Sequence, residues 1–301
     1  MSSFGQAERD VQSYFEIGQV VRFNSQSWCV QNVGKPTCRN GEPKTDIYIL
    51  LENKESKESK EIKISYKKSN ADFLENKIKA ERAEMILGNN WAGIITRSTT
   101  EILNKFLEKN LIFKNKKGRT RKGAITLGWK FELVNRLNGE LSGHLNLTTE
   151  QLLDIYSGNN LDERKKNANV NGANIPNSGV ANYILIGDEF SSTEEILDKI
   201  VPLDEYVRNN PKIYFACKAL NYRSFEDKFD GDRPLAVQVK WEVVNGKLTH
   251  ELIFDKPFQC NGNKVAKQLK QCLINLGVQN TDNLNDKNTQ DCIIFTTFDF
   301  F

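Results

Sequence analysis

Two short apolar alternations separated by a charged gap constrain the fold of this 301-residue chain more than any other feature. In "TDIYILLE" (45–52) Ile47, Ile49 and Leu51 fall on one side of an extended backbone, with Tyr48 and Leu50 on the other. In "EIKISY" (61–66) Ile62 and Ile64 alternate with Glu61, Lys63 and Ser65. A period of two marks strands, and apolar residues on both sides mark the first as buried on both faces. The second holds three polar side chains on one face. It closes the run "ESKESKEIKISY" (55–66), where Glu-x-Lys occurs three times. Glu55 and Glu58 are followed by Ser and have nothing to hold them against a core, so they read as a solvated turn. Only Glu61-Ile62-Lys63 has an apolar centre that a sheet can bury.

The flanking pattern places these strands in an α/β frame. A helix over 6–18 precedes strands at 19–23 and 27–33 and a Gly/Pro-punctuated loop at 34–44. After the second alternation the period changes, predicting a helix over 69–88, a strand over 91–97 and a helix over 98–110. Further on, the expected elements are strand structure at 124–134, a helix at 148–158 and a strand at 213–220. A hairpin at 235–254 turning on Asn245-Gly246 and a helix at 263–277 follow. The expected class is α/β (α+β) with a mixed central sheet. The expected division is a core at 1–112 and a C-terminal α+β region at 113–301, with one compact domain as the alternative.

Composition removes several function classes. The apolar share of 39% supplies a core, while a net charge of +3 is too small to announce a polyanion partner, so any basic surface is local. Six scattered cysteines without a C-x-x-C pair argue against a zinc ribbon or a disulfide scaffold and read as reduced thiols. No apolar run reaches the length of a membrane span and the N-terminus does not read as a signal peptide, so a soluble, cytoplasmic protein is expected. His144 and His250 lack metal-ligand spacing and read as structural, and without a phosphate loop no nucleotide cofactor is indicated. The aromatic tail "FTTFDFF" (295–301) is expected to pack on the core or on a partner subunit.

An acid at the start of one strand and Glu-x-Lys on the next suits metal-dependent phosphodiester chemistry. Carboxylates bind Mg²⁺ through oxygen, and a lysine can orient the attacking water. A two-residue turn at Asn53-Lys54 puts Asp46 opposite Glu61, and a looser turn staggers them. Pro43-Lys44-Thr45-Asp46 followed by Glu61-Ile62-Lys63 resembles the motif of the PD-(D/E)XK nuclease superfamily, above all its type II restriction endonucleases. The expected order of elements from 6 to 110 also resembles that superfamily's αβββαβ core, although Pro43 and Asp46 are not adjacent. The resemblance implies that Asp46 and Glu61 are metal ligands, with the Ile62 carbonyl as a third. It implies that Lys63 positions water and that Glu16 or Glu8 of the first helix supplies a further acid.

The implied activity is Mg²⁺-dependent, Mn²⁺-tolerant, sequence-specific cleavage of double-stranded DNA by a homodimer. A repair, recombination or phage nuclease without sequence specificity and a non-catalytic DNA-binding protein are the alternatives. Two segments are candidate DNA contacts. Lys114, Lys116, Lys117, Arg119, Arg121 and Lys122 form a basic loop suited to phosphates or simply solvated. Arg164, Lys165, Lys166, Asn169, Asn171 and Asn174 lie in an Asn-rich stretch that reads either as a flexible loop or as a reader of base edges.

Overall fold

A computed structural model describes residues 4–39, 41–76, 78–290 and 294–296. The chain is mixed α/β and divides into two compact units, one formed by 1–72 with 147–211 and the other by 73–146 with 212–301. The chain therefore passes between units three times, whereas the sequence reading placed a single boundary at 112/113. Most of the aromatic tail lies outside the described residues.

The first unit begins with helix α1 (Phe4–Gln12), followed by strands β1 (Val20–Phe23), β2 (Gln26–Gly34), β3 (Ile47–Asn53) and β4 (Ser59–Lys67). These strands run antiparallel in sequence order, and the sheet continues with Tyr183–Ile186 parallel to β4 and Val201–Pro202 at the edge. The alternation of β3 and β4 decides which face is buried. Ile47, Ile49, Leu51, Ile62 and Ile64 are fully buried and share a cluster with Ala7, Val11 and Phe15 of the N-terminal segment and with Leu185, Ile196 and Leu197. Each such side chain contributes roughly 1.5–3 kcal/mol by leaving water, so a register slip of one residue would turn the whole set outward.

Where the sequence reading failed, a competing period won. The helix expected over 69–88 exists only as Ala80–Leu87, because Phe73–Glu75 pairs as a strand with Leu133 and Val134. The strand expected at 91–97 is instead the first part of a helix, Trp91–Thr100. Its buried residues Ile95, Ser98 and Thr99 follow helical spacing, and Ser98, Thr99 and Thr100 hydroxyls donate to carbonyls one turn back, so β-branched content did not force an extended chain. The αβ pair expected to complete the core near 69–97 is thus not there. Between β4 and its parallel neighbour Tyr183–Ile186 the chain instead carries the 73–146 segment and then the helix Thr149–Ser157. A capping box at Thr148 and Gln151 starts that helix and Gly158, at φ 79°, ends it, as the sequence signals require.

The second unit is organised on Ala124–Val134, which pairs with Ile213–Arg223 and, over two residues, with Val237–Val244. Val237–Val244 forms the expected hairpin with Lys247–Ile253 through Asn245-Gly246, both at positive φ, and the helix Gly262–Asn275 packs on this sheet.

Candidate active site

Asp46 sits one residue before β3, and the segment leading to it is tied down from behind. The Gly179 carbonyl accepts from the N–H groups of Lys44 and Thr45 at 3.0 and 3.2 Å. The Asp46 N–H then donates to the Ile64 carbonyl at 2.8 Å, and its carboxylate accepts from the Tyr66 N–H at 2.8 Å. The side chain is half-buried. Burial pushes its pKa up to about 6, and Glu8 pushes the same way, against Lys67, the Tyr66 N–H and Lys35. Lys35 is ion-paired with Glu8; burial alone would lower its pKa, and the attraction of Glu8, Asp46 and Glu42 outweighs this and raises it. Two carboxylates and two cations, Asp46, Glu8, Lys35 and Lys67, therefore act on one another at the start of β3. Beside them the Thr45 hydroxyl is buried without a hydrogen-bond partner.

Glu61 and Lys63 lie further along the sheet. The β3–β4 register pairs Ile47 with Ile64, Tyr48 with Lys63, Ile49 with Ile62 and Leu50 with Glu61. The pairing runs to Glu52 with Ser59, so the turn spans 53–58, and before Ile47 the register breaks, the Asp46 N–H donating to the carbonyl of Ile64, the partner of Ile47. The looser of the two turns is therefore the one formed. Glu61 thus pairs with Leu50 rather than with Asp46. Glu61 accepts from the Tyr48 hydroxyl at 2.7 Å and from Lys63 Nζ at 3.4 Å. Asn182 clasps the same strand, donating to the Glu61 carbonyl at 3.0 Å and accepting from the Lys63 N–H at 2.7 Å. Ile62 is fully buried within this ladder. Glu16, proposed as the extra acid, is exposed in the turn after α1, and Glu8 is the acid of α1 that acts on Asp46.

Among the described residues no three His, Cys, Asp or Glu side chains converge as a ready-made metal centre. Asp46 and Glu8, the acid whose charge acts on it, offer oxygen donors alone. Mg²⁺ holds most of its waters and is commonly bound through only one or two carboxylates, so this donor set fits that ion better than a softer metal. Lys35 and Lys67 escaped the sequence reading. The first falls in the loop after β2 and the second lies beyond the Glu-x-Lys pattern, so neither carries a local signal in the sequence.

The candidate DNA contacts separate by unit. In the second, Lys117 donates to Asn110 at 2.7 Å, Arg121 pairs with Glu226 at 2.9 Å and Lys122 with Asp282 at 2.9 Å. In the first, Arg164, Lys165 and Lys166 form the short helix Glu163–Lys166, with Lys165 near Asp162 and Lys166 near Glu163. Asn169 to Asn174 is not a plain loop. Asn169–Val170 and Ala173–Asn174 pair around Asn171-Gly172, both at positive φ, making a two-residue hairpin. Its asparagines are committed internally. Asn171 Nδ2 donates to Asn32 Oδ1 and the Val33 carbonyl, Asn174 Nδ2 donates to the Asn167 carbonyl, and Asn169 Oδ1 accepts from the Gly172 N–H. Bidentate adenine reading needs both the oxygen and the nitrogen of an amide free, so these three asparagines build the hairpin rather than present base-reading pairs. No helix among the described residues is long and apolar enough to cross a membrane. Comparison with protein-family models, with curated proteins and with solved structures gives no match.

Proposed function

We propose that the chain is a Mg²⁺-dependent endonuclease of the restriction type, cutting both strands of double-stranded DNA as a homodimer whose two-fold axis matches a palindromic site. The observation that carries this reading is the half-buried Asp46 carboxyl, raised to about 6 and facing a second carboxylate and two lysines at the entrance to a sheet. Perturbed acids in mixed-charge clusters are common at catalytic sites. The sequence motif and the antiparallel β2-β3-β4 set, followed after a helix by a strand parallel to β4, agree with it.

Asp46 and Glu8 are the residues that would hold the metal. A bound Mg²⁺ or Mn²⁺ would supply charge neutralisation at the phosphate and a water of lowered pKa. Lys67 and Lys35 place positive charge beside the acids, so a polyanion can approach them, and Lys67, whose charge acts on Asp46, is the lysine that would hold the attacking water. Asp46 acts in its ionised form, so its raised pKa sets the acid limb of the reaction. Glu61 and Lys63 are held on β4 by Tyr48 and Asn182.

Incubation of plasmid DNA with the protein and Mg²⁺ tests the reading. Discrete fragments are expected; smears would favour a nuclease without sequence specificity, and intact DNA would sink the proposal. Asp46→Asn, Glu8→Gln and Lys67→Ala should each lower the rate on the order of 100-fold or more. Lys63→Ala and Glu61→Gln should cost about 10-fold or less, and Glu58→Ala nothing, since it lies in the exposed turn. Full activity in Lys67→Ala with loss in Lys63→Ala would return the catalytic lysine to the Glu-x-Lys triplet.

A further inference from the structure

Beside the Asp46 cluster the first unit contains an open cleft of about 520 Å³, within the range of small-molecule binding sites. One wall is α1. Gly5, Glu8, Arg9 and Gln12 recur at intervals of three and four and so form one stripe, distinct from the buried Ala7 and Val11. The other wall is the hairpin at Asn169, Asn171 and Gly172, with Lys35 and Thr37 between. Glu8 and Lys35 belong to this cleft and also act on Asp46, so the two features adjoin.

The cleft is pre-built. Thr37 and Asn169 exchange backbone hydrogen bonds of 2.9 Å in both directions, and Asn171 anchors the hairpin tip to Asn32 and Val33. Asn171 also closes tightly on Gly34, where an added Cβ would stand 2.9 Å from Asn171 Oδ1 and Val170 Cγ1. Little ordering entropy would be lost on binding. The groups it offers are mainly donors: the Arg9 guanidinium, the Lys35 ammonium and the Gln12 and Asn169 amides. Asn169 Oδ1 already accepts from Gly172, and the acid in the lining, Glu8, is countered by Lys35. A donor-rich lining whose asparagines are committed internally suits phosphate oxygens rather than base edges.

We propose that this cleft holds one sugar–phosphate unit of the DNA strand next to the one being cut at Asp46, positioning the strand without reading its sequence. The inference rests on the nuclease reading of the Asp46 site. Arg9 and Lys35 contact the phosphate, Gln12 and Asn169 its sugar side, and Gly172 leaves room for the backbone at the hairpin tip.

The test is binding without cleavage. The full chain in Ca²⁺ is titrated into a labelled duplex of mixed sequence, and fluorescence anisotropy is followed across a salt series. Arg9→Ala should weaken binding about 5-fold and reduce the slope of log K against log salt by about 1; Gln12→Ala should weaken binding with the slope unchanged. Glu55→Ala, in an exposed turn, should match the parent. Circular dichroism of each variant checks folding. An unchanged slope in Arg9→Ala, or a parent that does not bind DNA, overturns the inference. Inorganic phosphate is the second probe: if it binds the parent and not Arg9→Ala while the DNA slopes coincide, the cleft is a small-anion site and the inference fails. Cleavage in Mg²⁺ is scored separately. A parent that binds with the Arg9-dependent slope but cuts nothing leaves the cleft standing and removes the nuclease reading; a parent that cuts, with no Arg9 effect on the slope, does the reverse.

Discussion

Asp46 is the residue at which burial costs the chain stability at neutral pH. Its carboxyl moves from an ordinary 3.8 to about 6 in the folded state, chiefly through burial. The folded protein therefore binds this proton more tightly than the unfolded chain does. The stabilisation is complete below pH 3.8, declines as pH rises through the interval to about 6, and is absent above it. A shift of that size corresponds to about 3 kcal/mol, and partial solvent access reduces it to roughly 1–3 kcal/mol. Asp46→Asn, which cannot ionise, should accordingly melt higher than the parent at pH 8 and equally at pH 3.5, by calorimetry at the two pH values. A gain at pH 3.5 as large as that at pH 8 would contradict the burial account. The proposed cleavage carries the same sign: at fixed Mg²⁺ its rate should fall as pH drops through about 6, because the proposed ligand Asp46 protonates. Asp46 was legible in the sequence, since an acid opening a doubly buried strand is conspicuous. Its partners Lys35 and Lys67 were not, because they are distant in sequence and reach the acid only through the register of β4 and the course of the loop after β2.

At the scale of elements, the joint that aims Asp46 is Gly179. Its carbonyl receives Lys44 and Thr45, its N–H donates to the Lys166 carbonyl at 2.8 Å, and an added Cβ would stand 1.8 Å from the Lys165 carbonyl oxygen. No backbone oxygen can yield that far without moving the short helix Glu163–Lys166. Gly179→Ala should therefore destabilise the fold by about 2 kcal/mol or more and lower cleavage further than its melting temperature explains. A variant with parental rate and stability would show that this joint does not aim the acid. The strands β1 to β4 were readable because alternation is local. The helix Trp91–Thr100 was misread as a strand because Thr and Ile are β-branched, and their hydroxyl bonds to the preceding turn become visible only once the helix exists.

At the scale of the whole molecule, the first unit is discontinuous in sequence. β4 is completed on its far side by Tyr183–Ile186, and the cluster under the sheet draws Leu185, Ile196, Leu197 and Ile200 from the same later segment. A fragment of residues 1–112 should therefore not fold, because it keeps β4 with an open edge and loses that apolar cover. Amide dispersion and a cooperative melt for the isolated fragment would refute this interleaving. The sequence by itself determined the strands, their buried face, Asp46 as the acid at the sheet entrance, and which of three Glu-x-Lys triplets a core could hold, because each depends on periods of two to four residues. The tertiary structure decided that the charges of Glu8, Lys35 and Lys67 act on Asp46, that Glu61 pairs with Leu50, that an Asn-rich stretch is a pinned hairpin walling a cleft, and where the units divide. Those outcomes depend on strand register and on pairing between segments more than a hundred residues apart, and neither leaves a local trace in the chain.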